Sequence, residues 1–324
     1  MGEERDTWPM RISALILRLL AMALVLSGAE AAQRVEQKTL AVQPGCTVRL
    51  DAYRGQINVV SGGADEVRVT VALELPETKA GQARAVLDAF TLTAAAMGNE
   101  VRFTARNPRD RDVRFAWEVS MRPQMVFTVT VPEHCHLDLQ TRDGNISVDP
   151  LRGNMRARSE SGTITFRRID GTIDAATRTG DVVVSRCTGT VKLKTIQGNV
   201  LIGTVGGRAQ LETLDGDIEV QTAYGAVDAA TSSGDVSAGF ARMLERSHLR
   251  TSLGDIHATV NPAGGFSLKA SAGLGKVISK LDLAIGGSRR GKVAGQYQGG
   301  GPLLDLQAGG GNVLIEAGEP VFAL

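Results

Sequence analysis

Glycine occupies positions 144, 162, 180, 198, 216 and 234, six residues separated by a constant interval of eighteen. A second series of the same period, Gly153, Gly171, Gly189, Gly207 and Gly225, runs nine residues out of phase with the first. A fixed period of this size marks a solenoid, in which each repeat is one coil that buries its apolar face only by stacking on its neighbours.

One coil shows what each position does. In Gly207–Tyr224, Ala209, Leu211 and Thr213 alternate with Arg208, Gln210 and Glu212, and after Gly216 the residues Ile218 and Val220 alternate with Asp217 and Glu219. Alternation with period two is the strand signature, one set of side chains facing a core and the other facing water. The glycines supply bends that need positive φ. Counting the first glycine of a coil as zero, slot two holds Met155, Ile173, Val191, Ala209 and Val227, and slot four Ala157, Ala175, Leu193, Leu211 and Ala229. Slot six is Ser or Thr (159, 177, 195, 213, 231). Slot eleven is Ile164, Val182, Val200, Ile218 and Val236, slot thirteen Phe166, Val184, Ile202, Val220 and Ala238, and slot sixteen Ile169, Cys187, Val205 and Ala223. None of these inward slots holds a charge. Cys135–Gly153 fits the same frame with Cys135 in the glycine slot. A triangular coil of three hexapeptides needs an aliphatic residue every six positions, which these slots do not supply. The pattern predicts an all-β chain, a parallel two-sheet β-solenoid with eighteen residues per coil.

The register stretches after Gly234. Thr251–Ala258 reads as another half coil, displaced by a two-residue insertion around Arg242–Ser247. Ser267–Ser271 and Asp305–Glu316 read as less regular turns, and Gly286–Gly301 as a mobile loop. Residues 33–134 lack the period. They are expected to form a β-rich cap with strands in Lys38–Val60, Ala64–Leu75, Glu100–Arg106, Arg114–Ser120 and Met125–Val131, and one short amphipathic helix at Lys79–Phe90. Gly55–Val59 resembles a first coil turn.

The chain starts with a charged stretch, then the short apolar run Ile12–Ser27, then small residues through Ala32, the layout of a secretory signal peptide. Three regions are therefore expected: a signal peptide at 1–32, the cap at 33–134, and the solenoid with irregular last coils at 135–324. The mature chain is expected outside the cytoplasm, in the periplasm or at the cell surface, with no membrane span. A formal charge of +1 offers no field to attract nucleic acid, and 4% aromatic residues is low for a carbohydrate platform. Three cysteines are an odd count for an oxidising compartment. Cys187 holds an inward slot, and Cys46 and Cys135 are left as candidates for pairing with each other.

The repeated T-x-x-G-[DN]-[IV] motif (Thr141–Ile146, Thr177–Val182, Thr213–Ile218 and Thr231–Val236) resembles the bacterial "putative-adhesin" family of β-strand-repeat proteins, over roughly residues 38–316. The entry strand Phe127–Pro132 and the closing turn Gly310–Ile315 fit the same layout. That family is a domain of unknown function. The resemblance implies the fold and leaves activity open.

Three clusters bear weighing as chemistry. Asn145, Thr163, Asp181, Asn199, Asp217, Asp235 and Asp255 stack along one edge. Carboxylates on adjacent coils about 4.8 Å apart repel by about 0.9 kcal/mol per pair in water, so the Asp217/Asp235/Asp255 edge needs compensation, from calcium or from nearby backbone N–H groups. Glu212 and Asp228 are the nearest pair of acids for glycoside hydrolysis, which needs two carboxylates about 5–10 Å apart in a groove. His134, His136 and Asp138 share the outward face of one strand, where three ligands diverge unless a neighbouring strand completes the set. No G-x-S-x-G, Walker, H-E-x-x-H or C-x-x-C motif is present. No catalytic, cofactor or metal residue is assigned. The function expected is a non-enzymatic scaffold or adhesion module of the cell envelope, with an envelope protein or glycan as partner. The alternative is a polysaccharide-acting enzyme or a calcium-binding repeat protein on the same stack.

Overall fold

The computed structural model describes residues 32–63, 65–75, 87–106, 124–289 and 291–318. The expected signal peptide, the strand at 114–120 and most of the helix at 79–90 lie outside them. Of that span only residues 87–90 are described: Leu87 and Phe90 are buried, and Arg34 donates from Nη1 to the carbonyl of Leu87 at 2.6 Å.

The described residues form two sheets of 14 strands each. The first contains the strands that precede the motif glycine, such as Ala209–Glu212, and the second those that follow it, such as Ile218–Ala223. Pairing is parallel with a step of one coil. Leu193, Leu211 and Ala229 are successive partners in the first sheet, and Val200, Ile218 and Val236 in the second. Every inward residue assigned from the repeat is buried. Most inward side chains of the middle coils are Ala, Val, Leu and Ile, with Phe166 the large exception, and buried Phe90, Phe103 and Phe127 lie towards one end and Phe240 and Phe266 towards the other.

The motif couples coils as well as turning the chain. Gly216 has φ of 148°, and a Cβ there would lie 2.1 Å from the carbonyl oxygen of Gly198, one coil earlier. Backbones stacked this closely leave room for hydrogen only. The motif threonine serves the same carbonyls: Thr213 donates to Gly198 O at 2.9 Å, Thr195 to Gly180 O at 2.9 Å and Thr231 to Gly216 O at 2.9 Å. Thr213→Val keeps the shape and removes the donor, and is expected to cost about 1 kcal/mol, read as a lowered denaturation midpoint at unchanged slope.

Chain order and stacking order part company at both ends. Cys46–Arg54 and Gln56–Ser61 form a complete coil placed directly beside Cys135–Asp143 and Ile146–Val148. The later strands Glu100–Arg106 and Gln124–Val131 stack outside it, also parallel. At the other end, Leu303–Ala308 and Val313–Ala317 insert between the Ser247–Val260 coil and the earlier Phe266–Ser279 segment. Antiparallel strands finish the stack: Glu66–Leu75 and Ala32–Ala41 on the second sheet, Thr91–Met97 on one end of the first. Edges closed by a change of direction do not continue the parallel template. The expected two-residue insertion is present, Gly254 following Gly234 on the ladder.

The expected loop at 286–301 is instead an antiparallel hairpin, Ala284–Arg289 with Lys292–Tyr297, paired to Phe266–Ala272. Residues 284–287 and 292–297 are exposed or half-buried, so the sequence carries no buried apolar alternation to betray a strand. Pro132–His134 carries the chain from the second sheet into Cys135–Asp143 of the first.

Candidate interaction surface

The edge that raised the question of calcium is a hydrogen-bond ladder. Asn199 Oδ1 accepts from the backbone N of Asp217 at 2.8 Å, Asp217 Oδ1 from Asp235 N at 2.8 Å, and Asp235 Oδ1 from Asp255 N at 2.7 Å. Asp255 Oδ1 accepts in turn from Asn312 N at 2.7 Å, through the coil inserted out of order. Backbone N–H groups of the next coil, not the same turn, therefore compensate the repulsion between stacked carboxylates. Asn serves as well as Asp because only one oxygen is used.

The outer face of the first sheet is charged and self-paired. Its central ladder runs Asp138, Arg156, Asp174, Lys192, Gln210, Asp228, His248, Asp305 and Lys269 on successive strands. Ion pairs join neighbouring coils: Arg158–Asp174 at 2.7 Å, Lys194–Glu212 at 2.8 Å and Arg208–Asp228 at 3.0 Å. Glu212 and Asp228 are thus each held by a different cation, and in register Glu212 faces Ala230 and Asp228 faces Gln210. Exposed pairs of this kind contribute little each; their effect is to neutralise the face. Asp305 is 2% exposed and accepts from Gln307 at 3.1 Å and Arg246 at 3.2 Å. Its place between His248 and Lys269 depends on the out-of-order coil, which the sequence does not announce.

His134 and His136 lie edge to face with ring centroids 6.2 Å apart. His136 Nδ1 accepts from Asn154 N at 3.0 Å, and Asp138 accepts from Gln140 at 3.3 Å. His136 and Asp138 are each engaged by a residue outside the trio, and no group of three metal-ligating residues converges among the described residues. Burial pushes the Cys187 thiol up to about 11, with the charge of Asp170 adding to it. A thiol so shifted carries little thiolate at pH 8. Iodoacetamide is expected to leave Cys187 unmodified in the native chain and to label it after denaturation, as peptide mass mapping would read.

The outer face of the second sheet differs. Its central ladder runs Thr70, Thr128, Asn58, Ser147, Thr165, Val183 and Leu201 on seven adjacent strands with no charge among them. Glu219 follows, and then Ser237, His257, Leu314 and Ile278. Alternate residues of these strands are buried in the core. That ladder consequently presents hydroxyl, amide and aliphatic groups, and charges flank it on the same strands: Arg68 lies two residues from Thr70, and Arg167, two residues from Thr165, is 3.5 Å from Asp149. Among the described residues no helix is long and apolar enough to cross a membrane.

The model of the Toastrack DUF4097 family matches residues 127–316, more than half of the chain. The chain belongs to that family. The motif resemblance is thereby confirmed, although the match begins at Phe127, so the preceding coil and its antiparallel strands lie outside it. No curated protein matches. Among solved structures, similarity extends to a "putative adhesin" from Bacteroides fragilis (13% identity, 87% of this chain and 96% of that chain, TM-score 0.42). It extends also to a "putative lipid binding protein" from Parabacteroides distasonis (12% identity, 86% and 96%, TM-score 0.43).

Proposed function

We propose that this Toastrack chain is an exported, non-enzymatic interaction module that binds a protein partner of the cell envelope through the outer face of its second sheet. The observation that carries the reading is the contrast between the two faces. On the first sheet the ladder acids Asp174 and Asp228 are each matched by a cation. On the second, seven adjacent strands present an uncharged ladder from Thr70 to Leu201. Interface cores are depleted of charge relative to the surrounding surface, and solenoids offer extended surfaces of this shape. The 4% aromatic content favours a protein over a glycan, which needs ring platforms. Export rests on the layout of residues 1–32, and N-terminal sequencing of the mature chain, expected to start at residue 32 or 33, tests it.

Binding is tested by the immobilised mature chain against envelope extract from its own source. Val183→Asp with Leu201→Asp is expected to lower capture of the specific partner at least about tenfold, the equivalent of 1.4 kcal/mol. Lys192→Ala on the opposite face is expected to change it less than about twofold, because a rim or remote charge contributes little. Equal loss from both faces, or glycan degradation abolished by Glu212→Gln or Asp228→Asn, would overturn the reading.

A further inference from the structure

Cys46 and Cys135 are direct partners on adjacent parallel strands of the first sheet. Both are fully buried, both face the core, and their sulfurs are 3.4 Å apart. In-register neighbours in a sheet have backbones about 4.8 Å apart, inside the 4.4–6.8 Å Cα separation that a disulfide spans. The backbone around them is fixed: Gly45 N donates to His134 O at 2.8 Å and Cys46 N to Gln43 O at 3.1 Å. Cys187 belongs to the other sheet, its sulfur 3.2 Å from Gly171 O. No third metal-ligating group joins the pair among the described residues, and a structural zinc site needs four ligands.

We infer that Cys46 and Cys135 are a cross-linking site, oxidised to a disulfide when the chain folds in the presence of a disulfide-carrying oxidant. The thiolate of one cysteine attacks a sulfur of the oxidant, forming a mixed disulfide and releasing one oxidant thiolate. The second cysteine's thiolate then attacks the protein sulfur of that mixed disulfide, expelling the other oxidant thiolate. Two protein thiols lose two protons and two electrons, and the oxidant disulfide is reduced to two thiols. The S–H···S contact holds Cys46 below the ordinary thiol range, while the same contact and burial push Cys135 up. The bond joins residues 89 apart in sequence and ties the coil Cys46–Ser61, which stacks out of chain order, to the first coil of the regular repeat. Loops of that length are the ones in which a cross-link restricts the unfolded chain most.

The test is refolding of the mature chain from denaturant in reduced and oxidised glutathione, followed by non-reducing peptide mapping. The expected product is two hydrogen masses lighter, has the Cys46 and Cys135 peptides linked, and keeps Cys187 free. Its Tm is expected to lie about 5–10 °C above that of the same chain refolded under reductant. The double variant Cys46→Ala with Cys135→Ala is expected to show no such redox-dependent difference. If that variant does not fold, the oxidised and reduced wild-type forms still give the comparison. Natively folded chain with both thiols free in the oxidising buffer, or a bond from either to Cys187, overturns the inference. None of these outcomes depends on which face binds a partner.

Discussion

Leu211→Asp is expected to abolish cooperative folding of the middle coils. Leu211 is 3% exposed and packs in register between Leu193 and Ala229. The inward slots around it contain no charge, so the carboxylate would be buried without a partner. An unpaired buried charge costs several kcal/mol, a large share of the 5–15 kcal/mol that holds a typical domain together. Because each coil is stable only through its neighbours, the loss extends along the stack. Far-ultraviolet circular dichroism and urea titration should show reduced strand content and an early, broadened transition. The adjacent outward change Gln210→Asp should stay within about 0.5 kcal/mol of wild type. Similar behaviour of the two variants would mean that the inward assignment is wrong.

Gly216→Ala is the second large effect. The backbone at φ of 148° is open to glycine and strained for any other residue, and the new Cβ would meet Gly198 O at 2.1 Å. Backbone strain alone costs about 1–3 kcal/mol, and the carbonyl cannot retreat without breaking its bond from Thr213. A Tm lower by at least about 5 °C is expected. Gly287→Ala is the counterpart, since no atom lies within 4 Å of a Cβ built there. That change should be neutral or slightly stabilising, by up to about 1 kcal/mol, through a less flexible unfolded chain. If Gly216→Ala were equally mild, the close stacking inferred from the ladder would be refuted.

The regular coils were legible because three separate constraints repeat together. The glycine marks close backbone approach, the threonine marks the carbonyl it serves, and the uncharged slots mark the core. Ile218 lies between Val200 and Val236 for that reason. The out-of-order coils at Cys46–Ser61 and Leu303–Ala317 were not legible as such. Their residues satisfy the same local pattern wherever they dock, so the choice of neighbour is made by tertiary packing. The strand Thr91–Met97 also went unrecognised, because an edge strand half open to water does not need regular alternation. The Asp217/Asp235/Asp255 edge was legible as stacked acids needing either calcium or nearby backbone N–H groups; the donors that the structure shows come from the following coil. Only the stacking distance makes that reach possible. The uncharged ladder of the second sheet emerges from register across strands far apart in sequence, Thr128 beside Asn58 and Asn58 beside Ser147.

The coil itself is tested most directly by distances between spin labels on the outward ladder of the first sheet. Labels at positions 138 and 174 are two strands apart, at 138 and 210 four strands apart, and at 138 and 228 five strands apart. Pulsed dipolar spectroscopy should give backbone separations that grow by about 4.8 Å per strand, reaching about 24 Å for the last pair. A linear increase with each further eighteen residues supports a parallel stack in which each eighteen-residue coil adds one strand to this sheet. Separations that fail to rise in steps of one strand, or that fall between positions 210 and 228, would contradict it.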